Sequence, residues 1–210
     1  AASDVYKRQV YEKSGLISRL DRYIWEQAAA KLGEWKKAGI NMSISVNISP
    51  KDFYYIDIFN TFAGLIKKYD IEPSNLKIEI TETTIMSDVP NLMGELEELR
   101  KAGFTLEMDD FGSGYSSLNT LKDINVDVLK VDMGFIKETK NVKKSRIILA
   151  SVIKMAKELN LLIITEGVET EEQVDNLTKL GCDVFQGYYF SKAIDVNEFE
   201  KRYLYWKKAG

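Results

Sequence analysis

Histidine is absent from this chain, and cysteine occurs once, at Cys182. Without histidine there is no Ser-His-Asp or Cys-His triad and no imidazole-based metal site. A single cysteine excludes an internal disulfide and a cysteine metal cluster, and it fits a reducing cytosol. Its expected role is that of a small buried apolar residue. A basic excess is missing too: 29 Lys and Arg stand against 32 Asp and Glu, for a net charge of -3. The cations are spread along the chain, so there is no electrostatic footprint for DNA or RNA. No apolar run approaches the ~18 residues that a membrane helix needs, and the first residues are too polar for a signal peptide. Any catalysis must therefore rest on carboxylates, amides, lysine or hydroxyls.

What is present can bury a full core as one domain: 210 residues, 45% of them hydrophobic. Residues 1–10, AASDVYKRQV, show no period and read as an irregular tail or remnant, with the domain proper over 11–210. From Leu16 to Lys37, Leu20, Ile24, Ala28, Leu32 and Trp35 recur at helical spacing, and Gly39 supplies a stop. Trp25 and Trp35 are expected in the core. Thereafter short β-branched or apolar runs alternate with helical stretches. The runs are MSISVNIS (42–49), LKIEITE (76–82), FTLEMDD (104–110), VDVLKVD (126–132), LLIITEGVE (161–169) and VFQGYYF (184–190). Helices are expected at 51–69, 89–101, 116–122, 145–159, 171–180 and 195–207. The helix at 145–159 should carry Ile147, Ile148, Val152, Ala156 and Leu159 on one face. This rhythm implies a parallel sheet covered by helices, with strands apolar on both faces.

A polar group closes nearly every strand: Asn47, Glu79 and Glu82, Asp109 and Asp110, Lys130 and Asp132, Glu166 and Glu169, and Gln186. In open α/β sheets and in (β/α)8 barrels alike, active sites lie at the C-terminal strand ends. No G-x-G-x-x-G or Walker pattern follows the first strand, which favours a barrel over a nucleotide-cofactor fold. A barrel of that kind needs eight strands and ~250 residues, so two strands are expected to be missing from the front. Asp109 and Asp110 are adjacent, and adjacent strand residues point to opposite faces. Both can reach one point only where the backbone turns, and Gly112 and Gly114 permit such a turn. One such acid would usually be an N-cap; the recurrence down the chain is what caps do not explain. Acids crowded on one rim repel unless cations neutralise them, and hard divalent ions with oxygen ligands are the natural tenants. Two such ions can activate water against a phosphate ester, and Lys130 would orient that water or offset phosphate charge.

The stretches SVNIS, EITE, DDFGSGYSSL, LKVD, EGVET and QGYYF occur in this order, and together they resemble the EAL-domain family of bacterial cyclic di-GMP phosphodiesterases, from about Tyr11 to Phe199. The resemblance implies a TIM-like (β/α)8 barrel and hydrolysis of cyclic di-GMP to linear pGpG with two Mg²⁺ or Mn²⁺ ions. It implies metal ligation by Asn47, Glu79, Asp109, Asp110 and Glu166, a water-holding role for Lys130, and supporting roles for Asp132, Glu169 and Gln186. Phe111, Gly112, Ser113, Gly114, Ser116 and Ser117 resemble the loop that couples metal and substrate binding to homodimerisation, anchored by Glu82. The family context further implies a cytoplasmic domain, free or on a membrane-anchored protein, fused to sensor or cyclase domains. The family's Glu-Ala-Leu stretch, whose glutamate is a ligand, does not occur in this sequence, and Glu107 stands where the family usually has a small or apolar residue. Three readings stay open: a phosphodiesterase, a catalytically silent domain that binds cyclic di-GMP or a protein, and a sugar-phosphate aldolase or isomerase. The third would need a lysine of depressed pKa, which the acids flanking Lys130 oppose.

Overall fold

The structure, a computed structural model, describes residues 16–112, 121–122, 124–134, 142–182 and 184–204. The chain divides into two compact units, Ala1–Leu129 and Lys130–Gly210, the division falling inside one strand. Among the described residues no helix is long and apolar enough to cross a membrane.

In the first unit, helix α1 (Ile17–Lys37) buries Ile17, Trp25, Ala28, Ala29, Leu32 and Trp35. Ile24, expected on the buried stripe, is exposed, whereas Ala28, Leu32 and Trp35 are buried as expected and Trp25, also expected in the core, fills the inward position beside Ile24. Trp25 packs on Phe62 at 5.0 Å between ring centroids, and Phe62 meets Phe104 edge-on at 5.7 Å. The helix expected over 51–69 is two helices, α2 (Asp52–Tyr55) and α3 (Ile58–Tyr69). Ile56 is extended, and the Asp57 side chain accepts from the backbone N–H of Asn60 as an N-cap. A capping aspartate competes with helix continuation, which the apolar period alone did not register.

Three parallel strands follow, β1 (Ile44–Asn47), β2 (Leu76–Thr81) and β3 (Leu106–Phe111). Val46, Ile78, Ile80, Leu106 and Met108 are buried on one face. The strands are not apolar on both faces as expected: their other face carries Ser45, Asn47, Lys77, Glu79, Thr81, Glu107 and Asp109. Glu82 does not extend β2 but opens a short helix, α4 (Glu82–Ile85), capped by Thr81. Helix α5 (Leu92–Lys101) leads back to β3, and the start of strand β4 (Val128–Asp132) lies beside it, where Asp127 N–H donates to the Leu106 carbonyl at 2.9 Å. Of the helix expected at 116–122, only Leu121 and Lys122 are described.

In the second unit the end of β4 neighbours β5 (Leu162–Glu166), with Met133 N–H donating to the Glu166 carbonyl at 3.0 Å. Strand β5 pairs in parallel with β6 (Val184–Phe185), so strand order follows chain order throughout. Helix α6 (Val142–Glu158) buries Ser145, Leu149, Ile153 and Ala156. Ile147, Ile148 and Leu159, expected inward, are exposed, so apolar content misjudged the face that packs. Helix α7 (Glu171–Leu180) begins with a capping box of Thr170 and Gln173. Strand β6 is shorter than the run 184–190, because Gly187 turns the chain against β5's exit: a Cβ there would lie 2.1 Å from the Val168 carbonyl oxygen. The expected last helix is helix α8 (Val196–Phe199) passing into a π-turn, Glu200–Leu204. Cys182 is buried as expected and accepts a hydrogen bond from Thr165 at 3.3 Å.

Candidate functional site

The polar face of β1 to β3 gathers the predicted site residues of the first unit. Asn47 is the last residue of β1 and stands in register with Glu79 on β2. Residues in register on parallel strands share a face, so amide and carboxylate lie side by side. Asn47 is fixed from behind by its backbone, since the buried indole N–H of Trp25 donates to its carbonyl at 2.9 Å. Two residues further along β2, Thr81 stands in register with Asp109. Asp110 follows with φ of 57°, in the left-handed region, and Gly112 follows it at 97°. The turn that two adjacent acids require is therefore made at Asp110 itself, before the glycines. Its own N–H donates to Asp109 Oδ1 at 3.0 Å, which orients the first carboxylate with the second residue's backbone.

Phe111 is buried and belongs to β3, so only Gly112 of the predicted loop is described as leaving the strand. Ser113, Gly114, Ser116 and Ser117 lie outside the described residues. Glu82, the predicted anchor, is 2% exposed. Glu107 is 1% exposed and its two oxygens are engaged separately: Ser45 donates to Oε2 at 2.9 Å and Lys77 to Oε1 at 3.1 Å.

The second unit carries the remaining predicted residues. Lys130 is 4% exposed, and its Nζ lies 2.8 Å from Glu166 Oε1. A solvated lysine is thereby excluded, because a buried ammonium persists only beside a compensating charge. Asp132 is exposed, and its Oδ1 accepts from Gly134 N–H at 2.6 Å. Glu169 and Gln186 are exposed. Gln186 is fixed through its backbone, donating to the Thr165 carbonyl at 2.9 Å and accepting from Val168 N–H at 3.1 Å.

Sequence reading missed three supports. Lys77, two residues before Glu79 on the same face, was legible from the strand period. The Thr170-x-x-Gln173 capping box was legible as a motif; Gln173 also accepts from Glu169 N–H at 2.7 Å, pinning the segment after β5. Trp25's bond to Asn47 had no signal in sequence, because the two are brought together by packing alone.

Among the described residues no three acids are gathered closely enough to hold a metal ion by themselves. The donors nonetheless suit a hard divalent cation: they are all amide or carboxylate oxygens, and they come in adjacent pairs, Asn47 with Glu79 and Asp109 with Asp110.

A parallel α/β sheet with carboxylates at the C-terminal strand ends defines a class of barrel-type enzyme domains. The chain belongs to the EAL domain family, whose model matches residues 8–193, and its fold is the α/β, TIM-like type of that family. It is 34% identical over 188 residues to the bifunctional diguanylate cyclase/cyclic di-GMP phosphodiesterase MucR of Pseudomonas aeruginosa, covering 89% of this chain and 27% of that protein. The structure of the MucR phosphodiesterase in its cyclic di-GMP complex superposes with a TM-score of 0.83 at 33% identity, over 91% of this chain and 78% of that one. Klebsiella pneumoniae BlrP1, solved with manganese and cyclic di-GMP, gives a TM-score of 0.73 at 29% identity, over 84% and 45%. The chain spans between about a quarter and a half of the length of the curated relatives it matches.

Proposed function

We propose that this domain hydrolyses cyclic di-GMP to the linear dinucleotide pGpG at a site of two divalent ions, Mg²⁺ or Mn²⁺. The observation that carries the reading is the end of β3, where Asp110 adopts the left-handed region and its N–H holds the Asp109 carboxylate. Relatives with that chemistry in their names, and solved complexes with manganese and with cyclic di-GMP, support it. Asn47, Glu79, Asp109, Asp110 and Glu166 would hold the ions. Bound divalent ions supply Lewis acidity toward the phosphate and an acidified water.

The remaining work falls to this chain. Lys130, already buried and paired with Glu166, donates N–H bonds toward the attacking water and offsets charge on the phosphoryl oxygens. A new P–O bond forms from the water as the bond to the ribose oxygen breaks in line, and the leaving oxygen takes up a proton. Asp132, Glu169 and Gln186 position water at the rim. Phe111, Gly112, Ser113, Gly114, Ser116 and Ser117 would couple metal and substrate binding to dimerisation, with Glu82 as their anchor. Residues 11–210 act as one domain, able to homodimerise and controlled by sensor or cyclase domains. A silent receptor for cyclic di-GMP is the second reading, favoured by the absence of a ready cluster of three acids among the described residues.

The test is cyclic di-GMP turnover with Mg²⁺ or Mn²⁺, by this chain and by a form carrying the residues encoded upstream. Appearance of pGpG that is abolished by Asp109→Asn supports the enzyme. Binding of cyclic di-GMP without turnover in both forms establishes the receptor instead.

A further inference from the structure

Glu107 is the most deeply buried carboxylate on the polar face of β1 to β3, and the mechanism above leaves it unused. It stands in register with Glu79, which stands in register with Asn47. Neighbouring strands lie ~4.8 Å apart, so the Glu107 backbone is next to that of a proposed ligand, and Asp109 is two residues further along the same face. The Glu107 carboxylate is drawn back from this row. It reaches across β2 to Ser45 on β1 and to Lys77 on β2, which are themselves in register two residues before Asn47 and Glu79.

Lys77 thus sits two residues before Glu79 on one face, half-buried, with its 3.1 Å ion pair to Glu107. The arrangement places a matched positive and negative charge directly beneath Asn47, Glu79 and Asp109. A lone carboxylate there would strengthen the field for a cation above it, and a lone ammonium would oppose it. The effect is large because the site is partly withdrawn from water.

We propose that the Lys77–Glu107 pair sets the electrostatic floor of the site and so tunes its affinity for a divalent cation, with Glu107 a positioning residue rather than a ligand. This rests on the metal-site reading of the preceding section. It makes a prediction of sign that a purely structural tie between strands does not. Removing the negative member weakens ion binding, removing the positive member tightens it, and removing both restores it.

The experiment is Mn²⁺ binding to the 210-residue chain, read by electron paramagnetic resonance of free Mn²⁺, with circular dichroism to confirm folding. Glu107→Gln keeps the side chain's shape and is expected to raise Kd by roughly tenfold at low ionic strength. Lys77→Met is expected to lower Kd by a similar factor, with Lys77→Gln in its place if that variant unfolds. The double variant Lys77→Gln/Glu107→Gln should return to within about twofold of the unchanged chain. Both changes should shrink as salt is raised. If both single variants weaken binding alike, or if folded Glu107→Gln leaves Kd unmoved, the inference is overturned while the metal site stands. If the unchanged chain binds no Mn²⁺, the metal-site reading itself has failed, and the inference falls with it.

Discussion

The ammonium of Lys130 stands 2.8 Å from a carboxylate oxygen of Glu166, and the lysine is 4% exposed. Each side chain therefore depends on the other: the buried cation needs its counter-charge, and the carboxylate is held on the β4 side of its strand. Glu166→Gln removes the counter-charge and leaves the ammonium buried, which is expected to cost on the order of 3 kcal/mol of stability. Turnover of cyclic di-GMP should fall at least ~100-fold in Glu166→Gln and in Lys130→Met. Denaturant unfolding and chromatographic assay of pGpG check the two parts, and wild-type turnover in either variant contradicts the assigned roles.

Asp110 separates backbone from side-chain function. Its φ of 57° is tolerated by aspartate and asparagine but strained for a β-branched residue. Asp110→Asn should therefore keep its melting temperature and lose turnover. Asp110→Val should lose turnover and about 1–2 kcal/mol of stability as well. Equal melting temperatures for the two variants contradict the left-handed turn.

Trp25 links the core to the rim through its indole N–H and the Asn47 carbonyl. Trp25→Phe keeps most of the apolar contact with Phe62 but leaves that carbonyl without its donor, at an expected cost of about 1–2 kcal/mol. Trp25→Ala also opens a cavity and should cost about 3–5 kcal/mol. Mn²⁺ binding by the folded Trp25→Phe chain is expected to weaken, because Asn47 loses its fixed backbone. Unchanged Mn²⁺ affinity would count against that coupling.

Acid should loosen α1 from α3. Lys68 and, next, Tyr69 donate hydrogen bonds to Glu26 and hold its carboxyl below the ordinary glutamate range. A folded-state value below the unfolded one means stability that is whole above the ordinary value of about 4.3 and is lost as pH falls through the depressed one. The carboxylate is partly open to solvent, so the effect is modest. Melting temperature followed from pH 6 to pH 3 should decline less steeply in Glu26→Gln than in the unchanged chain. Parallel curves contradict the assignment.

Among these residues, the acids at the strand ends were visible because a β/α rhythm tells where each strand stops, and polar residues at those stops need no packing information to be noticed. Glu107 was also visible as an oddity, two positions before Asp109 and so on its face. Its pairing with Ser45 and Lys77 was not, because they lie 62 and 30 residues away in sequence. The helix faces show the same limit. Apolar spacing located α1 and α6 but chose Ile24, Ile147 and Ile148 for the inside; all three are exposed, whereas packing buried Leu149 and Ile153 in α6.

By itself, then, the sequence determined the alternation of strand and helix, the kind of ligand atoms available and the family whose motifs they form, since these depend on local period and residue chemistry. The tertiary structure alone decided which charges neutralise one another, Lys130 with Glu166 and Lys77 with Glu107. Burial and strand register bring such pairs together across long stretches of chain, and no local pattern records either.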